Sequence, residues 1–115
     1  MDQQRKRELP PEVAAALSEL KAVLADIYGE RLRGVYLYGS YARGDFDPES
    51  SDIDVLVVLA GEVEPAEEIR RTSAAVSDIC LRHDVLLAEL PVSEAWLRER
   101  KTPLFENVRR EAVPI

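Results

Sequence analysis

The sequence predicts an α/β (α+β) domain: a small mixed β-sheet flanked by helices. Segments with helical periodicity alternate with short β-branched segments in the order α-β-loop-β-α-β-α, and this alternation is typical of the class. A chain of 115 residues suits one domain. Apolar residues at 46% and charged residues at 32% match an ordinary globular composition. We therefore expect a single domain over residues 1–115, with the polar residues 1–10 frayed.

The first half of the chain predicts one helix and two strands. Pro10 and Pro11 can open a helix, because a first turn does not need the N–H that proline lacks, and Gly29 is a suitable stop. Residues 34–39 form a β-branched and aromatic run between glycines, which predicts a strand. Residues 40–52 are polar and predict a loop, or a short helix followed by a loop. The first helix carries an apolar stripe at spacings of three and four: Val13, Leu17, Leu20, Leu24 and Ile27,.

Residues 53–60 are apolar except at Asp54, which favours a central strand that is buried on both faces. Residues 61–65 predict a turn and residues 66–82 a second helix. A third strand is expected over residues 84–90, ended by Pro91, which cannot donate to a sheet ladder. Two short helices follow, one capped by Ser93 and one by Thr102 before a proline,. The second long helix would bury one face made of Ile69, Val76, Ile79 and Cys80.

Composition and charge argue against several functional classes. With 15 basic and 22 acidic side chains, the net charge is −7, which disfavours independent nucleic-acid binding because that depends on neutralising phosphates. The longest apolar run, residues 55–60, is far shorter than the roughly 20 residues that a membrane span needs. Cys80 is the single cysteine, so neither an internal disulfide nor a zinc cluster is expected. The N-terminal residues lack the apolar core of a signal peptide, and we expect a cytoplasmic protein.

Asp52 and Asp54 form the first part of a candidate site. Alternate residues of a strand share a face, so these two carboxylates would lie close together and repel each other unless a cation stood between them. Oxygen ligands without histidine or cysteine favour Mg²⁺, which also binds substrate phosphates. The preceding strand ends in Gly39 and Ser40, where glycine would let backbone N–H groups approach an anion. With a charge-assisted contact from Arg43, the pattern indicates a nucleoside triphosphate and its magnesium.

Asp84 is a candidate third acid. It would stand at the start of the third predicted strand, before an otherwise apolar run. If that strand pairs beside residues 53–60, Asp84 can bridge the metal from the opposite edge. Two metal ions roughly 3.5–4 Å apart would then stabilise the attacking and leaving oxygens of an in-line displacement.

The combination of Gly39-Ser40 with Asp52-Ile53-Asp54 resembles the signature of the DNA polymerase beta-like nucleotidyltransferase superfamily. The string from Gly39 to Gly44 is similar to that of its minimal nucleotidyltransferases, although the gap between Ser40 and Asp52 is one residue longer than is common there. The resemblance implies that Gly39 and Ser40 hold the triphosphate, that Asp52 and Asp54 bind two Mg²⁺ ions, and that Asp84 shares a metal and helps to deprotonate the attacking hydroxyl.

The same resemblance implies transfer of a nucleoside monophosphate, AMP from ATP, to a hydroxyl with release of pyrophosphate. The short chain leaves no room for a domain that grips nucleic acid, so we expect a protein acceptor. Minimal nucleotidyltransferases often act beside a small helical HEPN-type partner as the antitoxin of a toxin–antitoxin pair. Two alternatives remain open: a catalytically degenerate nucleotide-binding module or complex subunit, and a small-molecule transferase of the aminoglycoside-modifying type. A homo-oligomer is also compatible with the sequence.

Some candidate residues have simpler interpretations. Arg43 can pair with Asp45 or Asp47 on the surface in place of a phosphate. His83, beside Asp84, is more typical of a structural or surface group than of a catalytic base. Trp96 and Phe105 are expected to be packing anchors, so the nucleobase pocket is not visible in the sequence.

Overall fold

The computed structural model describes residues 9–115. It consists of five helices and four strands, with a 3-10 turn at Gly29–Arg31. The helices are α1 (Pro11–Tyr28), α2 (Ser40–Arg43), α3 (Pro65–His83), α4 (Glu94–Glu99) and α5 (Pro103–Glu111). The strands are β1 (Leu32–Tyr38), β2 (Ile53–Leu59), β3 (Leu87–Ser93) and β4 (Val113–Pro114). The frayed segment expected at residues 1–10 falls largely outside the described residues, but Leu9 packs against the core and Pro10 precedes α1.

The four strands form one mixed sheet in the order β3-β2-β1-β4. Strand β1 is antiparallel to β2 and to β4, whereas β2 and β3 are parallel. A parallel pair needs a crossover connection, and α3 supplies it between β2 and β3. The expected small mixed sheet flanked by helices is therefore confirmed.

Each face of the sheet is covered by its own helices. Val35, Leu37, Val55 and Val57 belong to the larger core with α1 and α3. Leu56 and Val58 alternate with them and pack on the other face against Phe105 and Val108 of α5. This alternation places even-numbered residues of β2, Asp54 included, on the α4–α5 face of the sheet.

Helix α1 buries the apolar stripe that the sequence predicts, with one change at its end. Residues from Val13 to Leu24 at the predicted spacing are buried, but Ile27 is 38% exposed and Tyr28 takes the inward position. The Tyr28 hydroxyl donates a 2.7 Å hydrogen bond to the buried carboxylate of Glu68. That bond ties the end of α1 to the beginning of α3. Within residues 9–115, no helix has the length and apolar character needed to cross a membrane.

The expected third strand over residues 84–90 is wrong at both ends. Asp84 is the C-cap of α3 in the left-handed conformation (φ 55°), and the Val85 N–H donates to the Cys80 carbonyl at 3.1 Å. The chain therefore turns before it enters β3 at Leu87. Pro91 does not end the strand but lies buried inside it. An edge strand such as β3 tolerates proline, because one side of its backbone has no partner strand.

Two further details differ from the sequence-based prediction. Ile69 is 38% exposed, while Glu68 and Thr72 take inward positions on α3. Each has hydrogen-bonding partners, which makes its burial tolerable,. Strand β4 was not predicted, because two residues are too few to show the alternating pattern of a strand. Its pairing with Tyr36 and Leu37 of β1 defines β4 as a strand.

Candidate active site

A glycine turn connects β1 to α2 at the edge of the site. Gly39 adopts φ 75° and ψ −151°, a combination that is essentially restricted to glycine. A Cβ atom at this position would lie 3.3 Å from Cγ and 3.4 Å from Cβ of Asp54, and would overlap its Oδ2. The backbone of Gly39 is thus packed directly against the Asp54 carboxylate. Ser40 then begins α2, as the sequence predicts, and Gly44 ends it with φ 90°.

Asp52 and Asp54 flank the first residue of β2, Ile53, whose side chain is buried in the core. Asp52 is exposed and Asp54 is half-buried. Across the sheet, Asp54 is aligned with Tyr38 of β1 and with Ala88 of β3. Strands β1 and β3 therefore fix the position of Asp54 from both sides.

The carboxylate pair carries unfavourable negative charge. Burial, and then the charge of Asp52, raise the pKa of Asp54, while the nearby Arg43 guanidinium opposes this shift. Burial and the Asp54 charge likewise raise the pKa of the neighbouring Tyr38 hydroxyl. A divalent cation between the two carboxylates would relieve this repulsion and keep both of them ionised. Two carboxylates fit a Mg²⁺ ion that also binds substrate phosphates.

Arg43 lies on α2 and is paired with two acids. Its Nε atom is 3.3 Å from Asp45 and its Nη1 atom is 3.3 Å from Glu111 of α5. The simpler interpretation of Arg43 as a surface partner of Asp45 therefore describes this structure, and Asp47 is not its partner. Exposed ion pairs of this kind are weak, so an incoming phosphate can compete for the guanidinium.

The loop after α2 is organised by its own side chains. The Asp47 carboxylate accepts hydrogen bonds from the Glu49 N–H at 3.0 Å and the Ser50 hydroxyl at 2.9 Å. These bonds lower the pKa of Asp47. The Tyr41 and Phe46 rings stack with centroids 4.1 Å apart, which anchors the loop to α2. These contacts therefore hold the loop in a defined conformation up to Asp52.

Asp84 lies at the end of α3 and is not grouped with the carboxylate pair as a third metal ligand. It is exposed at the end of α3 and lines a cleft of about 450 Å³ that Asp52 also lines. Among residues 9–115, however, no three acidic, histidine or cysteine side chains are grouped to hold a metal ion. Asp84 thus does not join Asp52 and Asp54 in a three-carboxylate cluster, because the turn after α3 precedes β3.

A second cleft, His83 and two aromatic residues lie apart from Asp52 and Asp54. This second cleft, about 810 Å³, is lined mainly by apolar side chains of α1, α2 and the C-terminal residues and includes neither aspartate. His83 contacts Glu19 of α1, which agrees with its interpretation as a structural group. Phe105 is buried and Trp96 packs between the two cores.

The sequence did not reveal Tyr38 and Ala88 as neighbours of Asp54, because only the strand register places them beside it.

Comparison with known proteins identifies the family. A family model described as "Nucleotidyltransferase domain" matches residues 17–102. The chain belongs to the nucleotidyltransferase family. It is also 31% identical over 104 residues to a Methanocaldococcus jannaschii protein named "Putative protein adenylyltransferase MJ0141", covering 90% of this chain and 99% of that protein. The chain is accordingly a nucleotidyltransferase enzyme.

Solved structures support the same fold. A chain of a toxin–antitoxin complex with AMP-PNP superimposes on this nucleotidyltransferase with a TM-score of 0.60 and 25% identity, covering 84% of this chain and 69% of that one. A chain of a mutant MntA–HpeT toxin–antitoxin complex gives a TM-score of 0.57 at 22% identity with the same coverage. These neighbours confirm the expected architecture, a small mixed sheet flanked by helices.

Proposed function

We propose that this nucleotidyltransferase transfers AMP from ATP to a hydroxyl of a protein acceptor in a Mg²⁺-dependent reaction. One observation carries the proposal: the Gly39 turn and the Asp54 carboxylate are in direct contact. A triphosphate at the turn therefore lies beside the residues that would hold its metal. The adenylyl group and the protein acceptor are favoured by the name of the Methanocaldococcus jannaschii relative, and AMP-PNP is present in one structural neighbour.

Each proposed residue has a distinct role. Gly39 and Ser40 would hold the triphosphate through backbone N–H groups, and Arg43 would exchange an acid partner for a phosphate. Asp52 and Asp54 would hold Mg²⁺, which neutralises charge on the triphosphate when it is bound. The acceptor oxygen forms a bond to the α-phosphorus, the bond to the bridging oxygen breaks, and pyrophosphate leaves. The hydroxyl proton passes to a nearby base, and Asp84, which lines the same cleft as Asp52, is the candidate within this chain.

The acceptor is proposed to be a small helical protein of the HEPN type, with this chain as the antitoxin of the pair. Two toxin–antitoxin complexes among the structural neighbours support this role. We also propose that the reaction takes place in the cytoplasm.

The assay is label transfer from α-labelled ATP in the presence of Mg²⁺ and the candidate partner, followed by the partner's intact mass. In the double variant Asp52→Asn/Asp54→Asn, we expect transfer to fall about 100-fold or more, because several kcal/mol of charge stabilisation is lost. The matched control is Asp26→Asn, which removes an exposed carboxylate from α1 and should leave transfer unchanged. Transfer that persists at the wild-type rate in the double variant would contradict the assigned site.

The alternative is a catalytically degenerate nucleotide-binding module, which the family match and the adenylyltransferase-named relative disfavour. Calorimetry separates the candidates. Mg²⁺-dependent ATP binding without pyrophosphate release in the presence of the partner would favour the module, whereas pyrophosphate release coupled to a mass gain on the partner supports the transferase.

A further inference from the structure

Strand β3 presents no acidic side chain to the carboxylate pair. Ala88 is aligned with Asp54 in the parallel register. The next residues of the same parity, Leu90 and Val92, pack with Leu56 on the α4–α5 face, so Ala88 shares the face of Asp54. Before the strand, the Leu86 carbonyl accepts the Ile53 N–H at 2.8 Å, and the Leu86 side chain is 65% exposed. The positions beside the pair are therefore apolar.

The one acid on β3 points to the opposite face. Glu89 is aligned with Val55, whose side chain lies in the α1–α3 core. The Thr72 hydroxyl of α3 donates a 2.6 Å hydrogen bond to Glu89 Oε2. Since a shift of one residue along a strand reverses the face, Glu89 cannot reach the pair while β3 keeps this register.

On its other side, Asp54 is aligned with Tyr38 of β1, which offers a phenol and not a carboxylate. Among residues 9–115, no third acidic, histidine or cysteine side chain is grouped with Asp52 and Asp54 to hold a metal ion, so these two carboxylates are the donor set on this face. Mg²⁺ is commonly held by one or two carboxylates with substrate phosphates and water, so this set suffices for one ion. A second ion about 3.5–4 Å away would need a further anionic ligand to offset the repulsion between two dications.

We infer that the site holds a single divalent cation with the nucleotide, in place of the two expected from the sequence. We further infer that the position occupied by Ala88 is where a carboxylate would have to stand to hold a second ion. This inference rests on the proposed nucleotide site. It makes Ala88 the residue that sets the number of metal ions.

The test counts ions with Mn²⁺ in place of Mg²⁺, by electron paramagnetic resonance at saturating AMP-PNP. The wild-type chain should immobilise one ion per chain and show the spectrum of an isolated ion. The Ala88→Asp variant places a carboxylate beside Asp54 and should immobilise a second ion, magnetically coupled to the first. Ala88→Asn is the matched control, with nearly the same size and no charge, and should immobilise one ion.

The outcomes are distinguishable. Two coupled ions on the wild-type chain would overturn the inference while leaving the proposed function intact, and this count requires no variant to fold. One ion on a folded Ala88→Asp variant would overturn the role of Ala88. If the wild-type chain immobilises no more Mn²⁺ than Asp52→Asn/Asp54→Asn does, the proposed metal site itself is wrong and the inference fails with it.

Discussion

Replacing Gly39 by alanine should disable the site more than it destabilises the fold. The residue has φ 75° and ψ −151°, and a Cβ would overlap Asp54 Oδ2 while lying 3.3 Å from Asp54 Cγ. Alanine therefore meets two penalties at once. One is backbone strain, and the other is a collision with the carboxylate that we assign to the metal.

The two penalties have different sizes and different readouts. Strain at such a backbone position costs about 1–3 kcal/mol, which lowers the melting temperature by about 4 °C per kcal/mol in a domain of this size. To restore an ordinary contact, the carboxylate has to move by about 1 Å. A displacement of that size in a catalytic site can reduce the rate by about 100-fold.

Gly61→Ala provides the matched control. Gly61 also has a positive φ, 81°, but a Cβ there would have nothing within 4 Å. Both variants should lose thermal stability to a similar extent in calorimetric melts. Only Gly39→Ala should also lose Mg²⁺-dependent AMP-PNP affinity and transfer. Equal affinity and transfer in the two variants would refute the reasoning, because the contact between Gly39 and Asp54 would then have no function.

Two further predictions concern Arg43 and Glu19. Arg43→Gln should change the free energy of unfolding by less than about 0.5 kcal/mol, because the ion pairs of Arg43 are exposed. The same variant should weaken AMP-PNP binding about 10-fold in calorimetric titrations. Unchanged affinity would show that Arg43 pairs only with its acidic neighbours and does not bind phosphate. Hydrogen bonds from Arg82 and His83 lower the pKa of Glu19 from 4.5 to about 2, so its stabilising effect is present above pH 4.5 and is lost as the pH falls through 2. The difference in urea midpoint between wild type and Glu19→Gln should therefore vanish over that range, and a difference that persists below it would contradict this assignment.

Local signals in the sequence were sufficient for most of the fold. Proline and glycine marked the ends of α1, the spacing of apolar residues marked its buried face, and the polar residue before each short helix marked α4 and α5. These signals succeed because capping and periodicity act within a few residues of the chain. They fail at Pro91, because whether a strand tolerates proline depends on its place at the edge of the sheet,.

The sequence alone determined the chemistry that the chain can offer: a glycine turn, two aspartates at alternate positions and a nearby arginine. The tertiary structure decided which of these groups meet. It brought Gly39 against Asp54 and aligned Ala88 with Asp54, while the turn after α3 left Asp84 outside the pair. The physical reason is that side-chain periodicity is a local property, whereas strand order and register follow from packing of residues far apart in the chain.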